Sequence, residues 1–147
     1  MNTEHSSFSF EMFAMMIITC ILAGFLSTMN VYSVKFSDVS IHINDMYMVL
    51  LMTCWMMLFY SLYIGNNILT VIFFVFVLIL FFCIRKQIYI NDTQYLKGMI
   101  PHHSMAILMS EKILEKTEDP KVKLLAQNII DGQRKEIEIM DMILDSK

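Results

Sequence analysis

Three apolar runs, each closed by polar or charged residues, fill most of the first 86 positions, and a segment dense in charge follows them. The runs are MFAMMIITCILAGFLSTMNV at 12–31, MYMVLLMTCWMMLFYSLYI at 46–64 and ILTVIFFVFVLILFFCI at 68–84. Each is close to the roughly 20 residues needed to cross about 30 Å of hydrocarbon as a helix. Only Gly65-Asn66-Asn67 separates the second run from the third, which predicts a tight turn between antiparallel helices. After Arg85-Lys86 the pattern changes to helical spacing on a charged background. Asn91 or Asp92 is a good helix N-cap, and that helix runs to about Lys116, with the third span able to continue straight into it. Asp119 followed by Pro120 is the start signal of a second helix, which runs to about Leu144. The short joint makes the pair an αα-hairpin. The expected fold is therefore all-α: a three-span domain over residues 1–86, then a helical hairpin over 87–147.

Charge sets an expected orientation. Of 11 Lys and Arg, only Lys35 precedes Arg85, and the eleven-residue front MNTEHSSFSFE carries none. That front is unlike a secretory signal and reads as leading into a retained helix. Lys35 and Arg85-Lys86 place the first connection and the C-terminal hairpin on the cytoplasmic side, with the N-terminus outside. A bacterial inner membrane is the expected setting. The net charge of −3, with no basic patch, does not suggest a nucleic-acid partner, and none is expected.

The second hairpin helix is apolar over more than one face. Leu125, Ile129, Ile130, Ile137, Met140 and Leu144 lie on one side, with Leu124, Ile139 and Met142 elsewhere. Two helices alone cannot enclose all of these. Pairing of two hairpins into a four-helix bundle is the expected repair, which makes the chain a homo-oligomer in the bilayer. Docking of the hairpin on the spans is the alternative.

Cys20, Cys54 and Cys83 fall singly inside apolar runs, so they predict no disulfide framework. Methionine is abundant, at 15 residues, and it concentrates around two adjacent histidines in MIPHHSMAILM, 99–109. Met99, His102, His103 and Met109 share one side of the first hairpin helix. Pro101 deletes the hydrogen bond to the Lys97 carbonyl and kinks that helix beside the histidines. Folding about a joint near residue 118 brings Met99, His102 and His103 level with Gln133, Glu136 and Met140. Imidazole binds copper, zinc, iron and nickel, and thioether favours Cu(I). A carboxylate ligates a harder ion or orients a histidine. The competing explanation is that methionines at helical spacing are core and that Glu136 is one more solvated charge.

These residues also carry a family resemblance. MIPHHSMAILM and AQNIIDGQRKEIEIM, the latter matching at Ala126, Ile129, Ile130, Gln133, Glu136, Ile137 and Met140, resemble the bacterial family known as domain of unknown function 305, over residues 95–140. The resemblance implies a ferritin-like helical hairpin, an association with copper binding and tolerance, and Met99, His102, His103, Glu136 and Met140 as ligands. Secreted members would act outside the cytoplasm, whereas three spans and the charge pattern put this hairpin inside.

The expected function is thus binding of a soft transition metal, copper as Cu(I) or Cu(II), for sequestration, tolerance or delivery. No Ser/His/Asp set, phosphate loop or thiol motif suggests an enzyme. A transporter or channel is the rival reading, with Met48, Met52 and Met56 forming an i, i+4, i+8 stripe on the second span and Met12, Met16 and Cys20 another on the first. His42 and Asp45 sit just before the second span. A structural membrane oligomer with no metal is the third.

Overall fold

The computed structural model describes residues 10–147, so most of the lysine- and arginine-free front, residues 1–9, lies outside the described residues. Among those described there are five α-helices and no strand: α1 (Phe10–Leu26), α2 (Ile43–Tyr63), α3 (Asn67–Lys86), α4 (Asp92–Leu114) and α5 (Pro120–Asp145). The chain divides into two compact units that interleave in sequence. One comprises residues 1–26 and 44–89, and the other 27–43 and 90–147.

The first unit holds three helices long and apolar enough to cross a membrane, the N-terminal one counted from Phe10 to Tyr32. Few of their side chains are buried within the chain, which leaves wide apolar faces. Where α1 meets α2, Gly24 permits close approach: a Cβ there would lie 2.8 Å from a Val49 methyl. The α2–α3 turn is built as its residues dictate. Gly65 takes φ +69°, and the Asn66 side chain accepts from the Leu69 N–H to cap α3. Fully buried Ser61 meets the Thr70 hydroxyl at 3.0 Å, which ties the two helices together beside the turn.

The apolar segment expected over 12–31 runs from Phe10 to Tyr32, and its α-helix closes at Leu26. Asn30 is caught instead by the connection: its side-chain N–H donates to the Ser40 carbonyl at 2.9 Å, and its Oδ1 accepts from the Ser40 N–H at 3.0 Å. The third helix does not run on into α4. Gln87 (φ 49°) and Tyr89 (φ 59°) both take the left-handed conformation. The Gln87 N–H closes α3 on the Cys83 and Ile84 carbonyls.

In the second unit, α4 and α5 form the expected hairpin. The Asn91 side chain caps α4 by accepting from the Gln94 N–H, and Asp119 caps α5 through the Lys121 N–H, with Pro120 at the first helical position. The helix continues through Pro101, which is fully buried. The packed seam contains Leu96, Ile100, Ile107, Ala126, Ile130 and Met140. Leu125, expected in that seam, is 60 % exposed.

The connection between the first two spans is the third layer of this unit. It packs on α4 through short 3₁₀ turns at Met29–Tyr32 and Phe36–Asp38. The Val34 N–H donates to Ser104 Oγ at 2.8 Å, and that hydroxyl donates to Asp38 Oδ2 at 2.6 Å. The Ile43 N–H donates to Gln94 Oε1 at 2.9 Å. Buried His42 lies over Gly98, where a Cβ would stand 3.2 Å from the ring. Residues 27–43 and the hairpin thus belong to one packed unit.

Candidate metal site in the C-terminal hairpin

His103 is the centre of the site. It is buried on α4, one turn after Met99, so its Nδ1 reaches the Met99 carbonyl at 2.8 Å. A carbonyl only accepts, so Nδ1 carries the proton and donates it. That contact fixes the ring, and Nε2 then faces Glu136 Oε2 on α5, also at 2.8 Å. Pro101 contributes by leaving the Lys97 carbonyl without its helical donor, next to this turn. Glu136 is itself solvent-facing, with its side chain 57 % exposed, so the pair sits at the rim of the hairpin rather than in its core.

The remaining candidates divide. His102 is exposed, its ring centroid 6.0 Å from that of His103 and its plane turned by 67°. Adjacent residues on a helix point about 100° apart, so the two rings do not converge as a pair without rotamer change. Met140 is buried with Leu96 and Ile100, and Met99 packs against the same cluster. The two thioethers therefore belong to one apolar patch, which is the core role that helical spacing also allowed. Gln133 is half-buried on α5. Met109 lies away from the histidines, near the joint, where it borders a groove with Val122 and Leu125. Among the described residues, no three His, Cys, Asp or Glu side chains form a group that could hold a metal ion. One chain thus aligns two hard or borderline donors, His103 Nε2 and Glu136 Oε2.

Between the connection and the hairpin lies a cavity of about 620 Å³. Asp38, Glu138, Asp141 and Asp145 line it, with Lys35 and Arg134. Arg134 is held by Glu111 across the hairpin at 2.6 Å. Loss of water pushes the Asp141 carboxyl above the usual carboxylate range, and the charges of Asp38 and Asp145 push it further, against an opposing pull from Lys35. No sequence pattern marked Asp38 or Ser104, and His42 stood out only by its place before the second span, because their partners lie 50 to 70 residues away. The only local signal was polar residues inside a connection that a bare link does not need.

Residues 92–147 match the family described as "Domain of unknown function (DUF305)". Along nearly its whole length the chain is also similar to "Uncharacterized protein L153" of Acanthamoeba polyphaga mimivirus, at 45 % identity over 142 residues, covering 93 % of each chain. The chain belongs to the DUF305 family. The long relative is viral and extends across the three apolar helices as well as the hairpin, so it lends nothing to a bacterial setting. No solved structure matches.

Proposed function

We propose that this protein is a membrane-anchored binder of a soft transition metal, copper, with His103 and Glu136 of the hairpin as its primary donors. The observation that carries the reading is the clamping of His103 Nδ1 on the Met99 carbonyl, which aims Nε2 at the Glu136 carboxylate. Ligating histidines characteristically donate their other ring N–H to a carbonyl or carboxylate in this way. Two donors 2.8 Å apart subtend about 85° at an ion bonded to each at roughly 2.0–2.1 Å. Opening them by about 0.5 Å gives a tetrahedral angle, which a glutamate at the rim accommodates. Imidazole suits copper, and the family resemblance favours it over zinc or iron. In this reading α1, α2 and α3 cross the bilayer, and Lys35, Arg85 and Lys86 hold the hairpin on the cytoplasmic side. The protein stores or hands over the ion and performs no bond chemistry.

The test is a Cu(I) titration of the full chain in detergent against a competing chelator. His103→Ala should weaken binding at least tenfold, and Glu136→Gln should weaken it by a similar order. Helix content must be unchanged by circular dichroism. Unaltered affinity in His103→Ala overturns the reading.

Transport is the second reading, and one observation favours it. Met48, Met52 and Met56 are exposed on a single face of α2, where with Trp55 and Phe59 they border a shallow groove of about 280 Å³. Copper flux into sealed vesicles, lost on replacing the three methionines with leucine, would support it over storage.

A further inference from the structure

The hairpin has one covered side and one open side. The connection covers the first. The open side carries a stripe along each helix at the same spacing. On α4 it runs through Tyr95, His102, Met109 and Ile113, and on α5 through Leu125, Gly132, Glu136, Ile139 and Ile143. All are exposed apart from Gly132's lack of a side chain, and the steps of three, four and seven keep each set on one helical face. Two members are not apolar: His102 and Glu136, at the level where the helices are already joined by His103. At the joint end the face hollows into an apolar groove of about 500 Å³ between Met109, Ile113 and Leu125.

Gly132 is the second, independent sign that something covers this face. It lies mid-helix without a positive φ, and a Cβ there would meet nothing within 4 Å. Glycine in a helix interior is destabilising relative to alanine. Inside the chain nothing requires it, and the open space beside it leaves room for another backbone to approach closely.

We infer that a second copy of this chain docks on the open face, and that its His102 completes the site that His103 and Glu136 begin. A two-fold axis running along the hairpin sets α4 of one copy opposite α5 of the other at the same level. His102 of each copy then faces Glu136 of the other, an imidazole against a carboxylate, and with its ring unprotonated it supplies the third donor that a single chain does not align. The alternative axis stacks α4 on α4 and opposes His102 to itself. The four helices form a bundle with the site at its middle. This interface differs from one built on Leu124 and Met142, because Met142 faces the cavity under the connection. The inference rests on the metal reading only for what the site holds; the docking does not depend on it.

The experiment uses the full chain in detergent, with mass measured by light scattering. Wild type should be a dimer or a multiple of one. Gly132→Trp should be a monomer with unchanged helix content, since a Cβ there meets nothing in its own chain within 4 Å, and its Cu(I) affinity should fall at least tenfold. Chains carrying His102→Cys mixed with chains carrying Glu136→Cys should cross-link to each other more than to themselves. A monomeric wild type, or a Gly132→Trp variant that keeps the wild-type mass, overturns the inference. So does a monomeric variant that still binds Cu(I) as wild type does. A dimer abolished by Gly132→Trp but binding no copper supports the docking and overturns the metal reading alone.

Discussion

The Ser104 hydroxyl donates to the Asp38 carboxylate at 2.6 Å, joining positions 66 residues apart. Ser104 has no exposed surface and Asp38 has 6 %, so this is a buried, charge-assisted bond. The same hydroxyl accepts from the Val34 N–H. It is the pin that holds the connection against α4.

Ser104→Ala removes that pin while adding no bulk. It leaves the Asp38 Oδ2 and the Val34 N–H each short of a buried partner, at a cost of about 2–3 kcal/mol. Thermal unfolding of the detergent-solubilised chain should show a lowered midpoint with native helix content at low temperature. Ser104→Thr keeps the hydroxyl and should lose less than half as much. An unchanged midpoint in the alanine variant would mean that water substitutes for the serine.

Gly98 separates propensity from packing. Gly98→Ala gains about 1 kcal/mol of helix propensity and meets the His42 ring at 3.2 Å, so the two effects nearly cancel. Gly98→Val adds two more methyl carbons toward the same buried ring and should destabilise by about 1–3 kcal/mol. The comparison reads how firmly His42 is seated. If valine proves as benign as alanine, the ring moves freely.

Much of the hairpin was legible because its signals are local. Asn91, Asp119 and Pro120 act within three residues of themselves, and counting outward from the joint was enough to set His103 level with Glu136. The connection was illegible for the opposite reason. Val34, Asp38 and His42 act on Ser104 and Gly98, and hydrogen bonds over such separations leave no period in the sequence. The close of α1 at Leu26 was not legible because Met29 and Val31 are apolar enough for hydropathy, while the Asn30 clamp on Ser40 is tertiary. The break after α3 falls at Gln87 and Tyr89, where no glycine announces a left-handed residue. Met140 was offered as a ligand by spacing and by the family motif, and neither tells a thioether in a site from one in a core.

Asp141 gives a pH signature. Its carboxyl titrates above the ordinary range in the folded chain because of lost water and the nearby Asp38 and Asp145. Ionised, it therefore opposes folding at neutral pH. The penalty fades as pH falls through its raised folded value and is absent below the unfolded value, where both states are protonated. Asp141→Asn should raise the unfolding midpoint at pH 7 and leave it unchanged near pH 3. An equal rise at both would assign the effect to packing instead of charge.

Protons should compete with copper at His103. The metal needs the Nε2 lone pair, so binding releases a proton and apparent affinity falls as pH falls. Affinity measured across a pH series should fall toward acid in the wild type, and His103→Ala should flatten that dependence. A wild type without it would place the ion on the thioethers of Met99 and Met140, which do not titrate.

Sidedness can be tested at two positions that the fold ties together. Phe36, 93 % exposed in the connection, and Ser146, at the end of α5, belong to one compact unit. Single cysteines placed there, with Cys20, Cys54 and Cys83 replaced, must respond alike to a membrane-impermeant thiol reagent. Lys35, Arg85 and Lys86 flank the apolar segments, and under the proposed reading the positive-inside bias would put these positions on the cytoplasmic side. Both cysteines should then resist labelling in intact cells and react after lysis. Labelling of both without lysis would invert the protein and turn the hairpin toward extracytoplasmic copper. Labelling of one alone would contradict the packing of residues 27–43 on α4, since the Ser104 pin to Asp38 cannot form across a bilayer.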